Sequence, residues 1–438
     1  MESAKGKTVG MVKPVVVVGA GLAGLVCARR LHRAGVPVIV VDADDRPGGR
    51  LKTDNVGGFL LDRGFQVLFT AYPNASRELD LDVLKLGAFK QGAYIYHGSD
   101  LHLLEPQTFG QMFKTKFAIL KDKTIPLADK RLLAKLSASV GHMSPRQAFA
   151  TDPMPTDEYL RDFGFGDEIM DRFFRPFLGG IFLDKDLAVD SRQFCFVWGM
   201  LSQGKTVVPA NGIQAIADQV AAEIPRYLFR FGNKVSEVLK DSHGNPTGIR
   251  FDTSETLDAS EVVIATEADE AARLLGQPTM EGHKSSTVLY FETATPVVDG
   301  AYLLLNGSGT GIVNHVAPIS NAASTYAPAG KHLASVTVLG NPGQSDEELA
   351  EIAKKELNEW APAKGAYMWR FIRAYRVRFA QMAQPVGFVE KLGGNMSKQD
   401  GIYRAGEYTE NSSIDGAIRS GMECAALILS NREAAEAA

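Results

Sequence analysis

The chain has 438 residues, 45% of them hydrophobic and 22% charged, so it is long enough to bury a large core in two or three structural units. The net charge of −4 gives no electrostatic reason to expect a nucleic acid partner, and three widely separated cysteines suggest neither a disulfide framework nor a metal site. We expect a cytoplasmic location, because residues 1–13 lack the apolar core of a signal peptide and no stretch reaches the about 18 consecutive apolar residues of a transmembrane helix.

The first predicted element is an apolar strand that runs into a glycine-rich turn. Four valines at 15–18 precede glycines spaced Gly-x-Gly-x-x-Gly. In such a turn the first glycine permits the reversal, the second lets the backbone approach a pyrophosphate, and the third lets the next helix pack closely on the sheet. The helix N-terminus then favours an anion. The residues predicted to form this site are Gly19, Ala20, Gly21, Leu22, Ala23 and Gly24.

A helix and a second strand follow the turn. Leu25, Ala28 and Leu31 recur at helical spacing, and residues 36–41 form a buried strand that ends in Asp42. An acid about 20 residues beyond the turn can accept hydrogen bonds from ribose hydroxyls and disfavours a 2′-phosphate. The pattern therefore predicts FAD or NAD rather than NADP.

Two glycines and an arginine come next, at Gly48, Gly49 and Arg50. Their backbone amides and guanidinium can reach the same pyrophosphate from the opposite side. With this element the chain resembles the flavin-containing amine oxidase superfamily, which includes monoamine and polyamine oxidases, protoporphyrinogen oxidases and phytoene desaturases. Members carry a glycine-rich turn, an acid and a Gly-Gly-Arg element at this spacing, and the resemblance favours FAD.

Three later segments extend the resemblance, which is strongest to a desaturase-like branch. Residues 57–66 are similar to the family segment that passes beside the flavin ring. Residues 207–216 and 233–235 resemble the family segments in which the chain returns to the FAD-binding domain and a backbone group contacts adenine. Residues 402–421 resemble the C-terminal flavin signature. The resemblance implies cofactor contacts from Gly64, Phe65, Gln66, Val235, Gly406, Glu407, Ile414 and Ala417.

The last of these segments also predicts a helix on its own pattern. Ser412 or Ser413 is a suitable N-cap, and apolar residues from Ile414 onward lie on one face. The positive end of such a helix suits the N1–C2=O2 edge of a flavin, which becomes negative on reduction. The alternative is an amphipathic helix that only packs.

The resemblance implies an α/β fold, with a Rossmann-like FAD-binding domain of the amine oxidase type and an interleaved α+β substrate domain. The positions of the cofactor elements assign residues 1–80, 205–285 and 395–438 to the FAD-binding domain. Residues 81–204, largely helical, and 286–394, largely sheet, are assigned to the substrate domain.

Two segments of the substrate domain have two interpretations each. Residues 107–145 mix basic and apolar residues at helical spacing, which is typical of a membrane-surface patch or of a solvated helix packed on its domain. Residues 171–182 are rich in aromatics and glycine, and they either line an apolar cavity or form a core loop.

The catalytic residues are less evident. In related amine oxidases a lysine five positions before an aromatic residue holds a water near flavin N5. Here the residue five before Phe291 is Ser286, and Lys284 lies two positions earlier, about 6.6 Å along an extended strand. Because the lysine is missing from this position, we expect dehydrogenation at carbon rather than amine oxidation.

Three other residues complete the set of candidates. His315 is the histidine we consider as an acid or base, although a histidine in such a strand is more often a core residue. Trp369 and Tyr375 precede the C-terminal signature and, by resemblance, either face the flavin or simply pack. Of the four residues Lys284, His315, Trp369 and Tyr375, we take Lys284, His315 and Tyr375 as the catalytic candidates.

We expect non-covalent FAD and hydride transfer to flavin N5 from a C–H bond of a hydrophobic, carotenoid-like or otherwise unsaturated substrate. O2 or a quinone would reoxidise the flavin. Three alternatives stay open: an amine or polyamine oxidase that releases hydrogen peroxide, a flavin-dependent isomerase, and a non-catalytic FAD-binding scaffold.

Overall fold

The computed structural model describes residues 13–105, 125–278, 282–361, 364–397 and 400–437. The strands in these ranges are β1 Val15–Val18, β2 Val38–Val41, β3 Thr53–Val56, β4 Phe59–Asp62, β5 Leu68–Phe69, β6 Leu86–Ala88, β7 Ala93–His97, β8 Asp100–Leu104, β9 Thr206–Pro209, β10 Phe229–Arg230, β11 Val235–Lys240, β12 Pro246–Phe251, β13 Thr256–Asp258, β14 Glu261–Ile264, β15 His283–Thr293, β16 Leu303–Asn306, β17 Val313–Ala317, β18 His332–Leu339, β19 Arg370–Met382 and β20 Ile402–Arg404.

The α-helices in the same ranges are α1 Leu22–Arg33, α2 Ala75–Glu78, α3 Leu127–Val140, α4 Pro145–Ala148, α5 Thr156–Phe163, α6 Asp167–Ile169, α7 Arg175–Phe182, α8 Ser191–Gln203, α9 Gln214–Ala221, α10 Ala268–Leu275, α11 Ile319–Ala322, α12 Asp346–Trp360, α13 Phe388–Lys391 and α14 Ile414–Ala437. A π-helical turn, Met170–Phe174, joins α6 to α7.

A five-stranded parallel sheet holds the glycine-rich turn, in the order β10-β2-β1-β14-β20. Val15 pairs with Val38 on one side and with Glu261 on the other. All four valines of β1 are at most 4% exposed, because helices pack on one face of the sheet and β11–β13 on the other. Burial on both faces explains the continuous apolar run in the sequence. Three separate stretches of chain build this one sheet, while the domain boundaries stay a prediction.

A second, seven-stranded sheet has the order β19-β15-β18-β17-β16-β7-β8. On one face of this sheet, Leu349 and Trp360 of α12 share a hydrophobic core with Leu289 and Phe291 of β15. Alternate residues of the same strand point to the opposite face, as the two-residue period of a strand requires. That opposite face covers the cavity described below.

Helices α3–α8 and the π-helical turn share a core that includes Leu136, Leu160, Phe174 and Phe194, and α7 packs on β16 and β17 of the seven-stranded sheet. The basic and apolar residues 107–124 lie outside the described residues, so the membrane-surface interpretation stays a prediction. Within the described residues, we find no helix with both the length and the apolar character needed to cross a lipid bilayer.

Candidate functional site

One cavity of about 610 Å³ extends from the glycine-rich turn to the seven-stranded sheet. Such a volume is within the usual range for small-molecule and cofactor sites. All the predicted cofactor residues line it except Ala20 and Gly24. Those lining it are Gly19, Gly21, Leu22, Ala23, Asp42, Gly49, Arg50, Gly64, Phe65, Gln66, Val235, Gly406, Glu407, Ile414 and Ala417.

The three glycines of the turn have different surroundings. Gly19 has a φ of +113°, and a Cβ there would lie 2.5 Å from the Ala265 carbonyl oxygen. A Cβ on Gly24 would lie 2.1 Å from the Gly19 oxygen, so only glycine allows the helix this close to the turn. A Cβ on Gly21, in contrast, would have no protein atom within 4 Å and would project into open space. This free approach is what a pyrophosphate requires.

Asp42 closes the turn from the end of β2. Its Oδ2 accepts a hydrogen bond of 2.6 Å from the Ala20 amide, and its Oδ1 accepts one of 2.8 Å from the Asp44 amide. A carboxylate offers about four acceptor positions, so Asp42 retains capacity for ribose hydroxyls. Ala20 therefore positions Asp42 instead of lining the cavity.

Arg50 and Glu407 form an ion pair in the cavity wall, with 2.6 Å between Nη1 and Oε1. Arg50 Nη1 also donates to the Ala380 carbonyl at 3.0 Å, and the Ser412 hydroxyl donates to Glu407. Because a guanidinium carries five N–H groups, the donors not used here are available to a phosphate.

Helix α14 begins at the cavity. The Ser413 hydroxyl accepts a 2.8 Å hydrogen bond from the Gly416 amide and thereby caps the helix, while Ile414 and Ala417 line the cavity. Further along, a Cβ on Gly421 would lie 2.3 Å from the Ala23 oxygen, so α14 packs closely on α1. The first turn of α14 is thus held at the site, where its positive end can stabilise a negative ligand.

Beyond the Arg50 region the lining becomes apolar. Gln66 Nε2 donates to the Arg50 carbonyl at 2.9 Å and fixes the segment that carries Phe65. We call the following part of the lining the apolar half of the cavity: Phe65, Phe177, Gly180, Ile181, Phe182, Leu183, Gln193, Val197, Ser286, Leu303, Leu305, His315 and Val377. Helix α7 supplies four of these residues, so segment 171–182 contributes to the cavity wall. Two polar residues line the cavity at its border: Arg63 pairs with Asp54, and Gln381 donates to the Ile181 carbonyl at 2.7 Å.

All the acidic residues that line the cavity belong to its other part. They are Asp42, Asp44, Glu267, Glu270 and Glu407. Among the described residues, none in the apolar half is acidic or basic apart from His315. The cavity therefore combines a polar end that suits a dinucleotide with an end that suits an uncharged molecule.

The catalytic candidates are distributed unevenly. His315 lines the cavity, whereas Lys284 forms an ion pair with Asp184 at 3.2 Å and does not line it. The Tyr375 hydroxyl donates to Asp54 at 2.8 Å, and Trp369 is buried against α12, so neither of them lines it. Ser286 occupies the cavity wall at the position where the resemblance places a lysine.

The sequence interpretation missed Gln193, Leu303 and Leu305. Gln193 is 1% exposed and its Oε1 has no hydrogen-bond partner among the described residues. Gln193 follows two other polar residues at the start of α8, so no pattern in the sequence singled it out. The two leucines alternate along β16, as cavity-facing residues of a strand do.

None of the three cysteines lines the cavity, and all three are buried. Within the described part of the chain, there is also no group of three or more His, Cys, Asp or Glu side chains arranged to hold a metal ion.

A family model described as flavin-containing amine oxidoreductase matches residues 22–429. The chain belongs to this family. It is therefore a flavin-containing oxidoreductase, and the dinucleotide that the polar end suits is FAD.

Individual relatives match over shorter stretches. Protoporphyrinogen oxidase 2 of Arabidopsis thaliana is 27% identical over 45% of this chain, and the match spans 38% of that protein. The lycopene-forming phytoene desaturase of Pantoea ananas is 43% identical over 15% of this chain and 13% of its own length. The crystal structure of an oxidoreductase from Methanosarcina mazei has the same fold, with a TM-score of 0.72 and 20% identity over 94% of this chain and 99% of that one.

Proposed function

We propose that this oxidoreductase removes hydride from a C–H bond of a hydrophobic, unsaturated substrate bound in the apolar half of the cavity. The observation that carries the proposal is the absence of a carboxylate from the described residues of that half. A substrate ammonium would lose its hydration there without gaining an opposite charge, which is costly in an apolar site. A neutral, apolar substrate gains free energy from the same surroundings.

The strand that faces the cavity also supports a carbon substrate. Ser286 is 5% exposed, and a hydroxyl at this position is a much weaker base than a lysine amine. Lys284 is held by Asp184 instead. The names of two of the relatives, a protoporphyrinogen oxidase and a phytoene desaturase, point to unsaturated substrates as well.

The residues have separate tasks in this proposal. When bound, FAD would supply a hydride acceptor at N5, and the proton lost from the neighbouring carbon would pass to a weak base or to water. Arg50, oriented by Glu407, and the glycine-rich turn would hold its phosphates, and the positive end of α14 would favour negative charge on the ring. The apolar half excludes water and orients the substrate. All three cysteines are buried and none lines the cavity, which supports non-covalent FAD, and O2 or a quinone is the proposed acceptor of the electrons.

Anaerobic reduction of the purified holoenzyme tests this function. We would record bleaching of the flavin absorbance with carotenoid precursors, porphyrinogens, and primary to tertiary amines. Bleaching by a polyene or porphyrinogen, followed by recovery with O2 or a quinone, is the expected result. Bleaching by an amine, with peroxide formed once O2 is readmitted, would contradict it. If dithionite reduces the flavin but no substrate class does, the isomerase or scaffold alternatives gain support.

A further inference from the structure

His315 is the titratable residue of the apolar half, and it is almost completely buried at 3% exposure. It lies on β17, with its ring 5.4 Å from the Phe65 ring between centroids. Helix α7 also comes close to it, and a Cβ on Gly180 would lie 2.7 Å from Nδ1. The imidazole is thus packed against both Phe65 and α7 in the wall of the substrate cavity.

The proton position on this ring follows from its neighbours. Asn314 Nδ2 donates a 2.9 Å hydrogen bond to the Pro176 carbonyl, which can only accept. The amide nitrogen of Asn314, and not its oxygen, therefore occupies this position. The same nitrogen lies 2.9 Å from His315 Nδ1, so Nδ1 must accept and the ring proton must be on Nε2.

Nε2 has no hydrogen-bond partner among the described residues. Burial lowers the pKa of His315 to about 4, so the ring is neutral at pH 7 and Nε2 is a donor there. A buried donor without an acceptor is costly, and such groups are normally satisfied by a ligand, water or protein atom.

We propose that the Nε2–H of His315 donates a hydrogen bond to an oxygen of the substrate, so that among the unsaturated molecules proposed above the site favours those with a carbonyl or similar neutral acceptor over pure hydrocarbons. The inference rests on the proposed function, because it takes the apolar half as the substrate site. It concerns selection of the substrate: a site with a buried donor discriminates strongly against a ligand that lacks the acceptor.

The test compares two probes of the same shape on the oxidised holoenzyme. Acetophenone carries a carbonyl, and α-methylstyrene keeps the same planar frame with a CH2 group in place of the oxygen. The dissociation constant of each is measured from the perturbation of the flavin visible spectrum. The ratio of the two constants is then compared between variants, so that the different hydration of the probes cancels.

We expect His315→Phe to reduce the preference for acetophenone roughly tenfold relative to the wild type, through loss of the donor. His315→Gln, whose amide can place an N–H near the position of Nε2, should recover most of it. Thr337→Val is the matched control: Thr337 pairs with His315 across β17 and β18, and its hydroxyl also has no partner among the described residues. Its removal should leave the preference unchanged.

An unchanged preference in His315→Phe, or no detectable binding of acetophenone up to its solubility, overturns the proposal. If the acceptor is instead a flavin oxygen, His315→Phe shifts the flavin midpoint potential without any probe and keeps the acetophenone preference. That result also overturns it. The binding measurement needs no turnover. The preference for acetophenone can therefore be found even if the bleaching experiment contradicts hydride transfer from carbon, so a failure of this proposal is distinguishable from a failure of the proposed function.

Discussion

Gly21→Val separates binding of the cofactor from folding of the protein. Gly21 has φ −71° and ψ 170°, which a residue with a side chain also adopts, and its Cβ would have no protein atom within 4 Å. The variant apoprotein should therefore fold with nearly wild-type stability. The added side chain would occupy the space through which the pyrophosphate approaches. Overpacking of this kind costs about 1–3 kcal/mol, which raises the Kd for FAD roughly 5- to 150-fold.

The assay needs both the stability and the affinity of the apoprotein. We would measure its thermal midpoint and then titrate it with FAD, following quenching of flavin fluorescence. Gly24→Ala is the matched control: its Cβ would lie 2.1 Å from the Gly19 oxygen, so it should lower the midpoint before any FAD is added. A Gly21→Val protein that binds FAD as tightly as the wild type would refute the assignment of this turn.

Two further predictions concern buried carboxylates. Burial raises the pKa of Asp62 from 3.8 to about 6. Its contribution to the stability of the fold is therefore complete below about pH 4 and is lost as the pH rises through 6. In denaturant titrations the unfolding free energy of Asp62→Asn should gain about 3 kcal/mol on that of the wild type between pH 4 and 7, and parallel pH curves would contradict this. Glu78→Gln breaks the pair with Arg29, whose side chain is 1% exposed, and should cost about 3–5 kcal/mol of unfolding free energy. Glu223→Gln, at 39% exposure, should cost about 1 kcal/mol or less, and equal losses would refute the role of burial.

The cofactor end was predictable because its signals are local. The glycine spacing determines one turn, and the acid that follows β2 lies next to it simply because parallel strands end at the same edge. The cap of α14 by Ser413 is also a short-range feature, which a single serine before an apolar pattern indicates. Each of these needs only a few consecutive residues.

The substrate end depends on contacts between distant parts of the chain. The pairing of β15 with β19 shifts register between Lys284 and Ser286, and no pattern in either strand indicates that shift. Likewise, the tautomer of His315 depends on the Pro176 carbonyl, more than one hundred residues earlier in the chain. Residue types alone do not report such contacts.

The contribution of β20 and α14 to the site has a consequence for biosynthesis. Four strands of the parallel sheet are available once Ile264 has been synthesised, but the fifth comes from residues 402–404 and the helix that completes the cavity starts at Ile414. A nascent chain that stops before these residues presents the glycine-rich turn without its opposite wall. The complete cavity therefore forms only after synthesis has passed Ala417, which makes the cofactor site one of the last parts of the fold to be assembled.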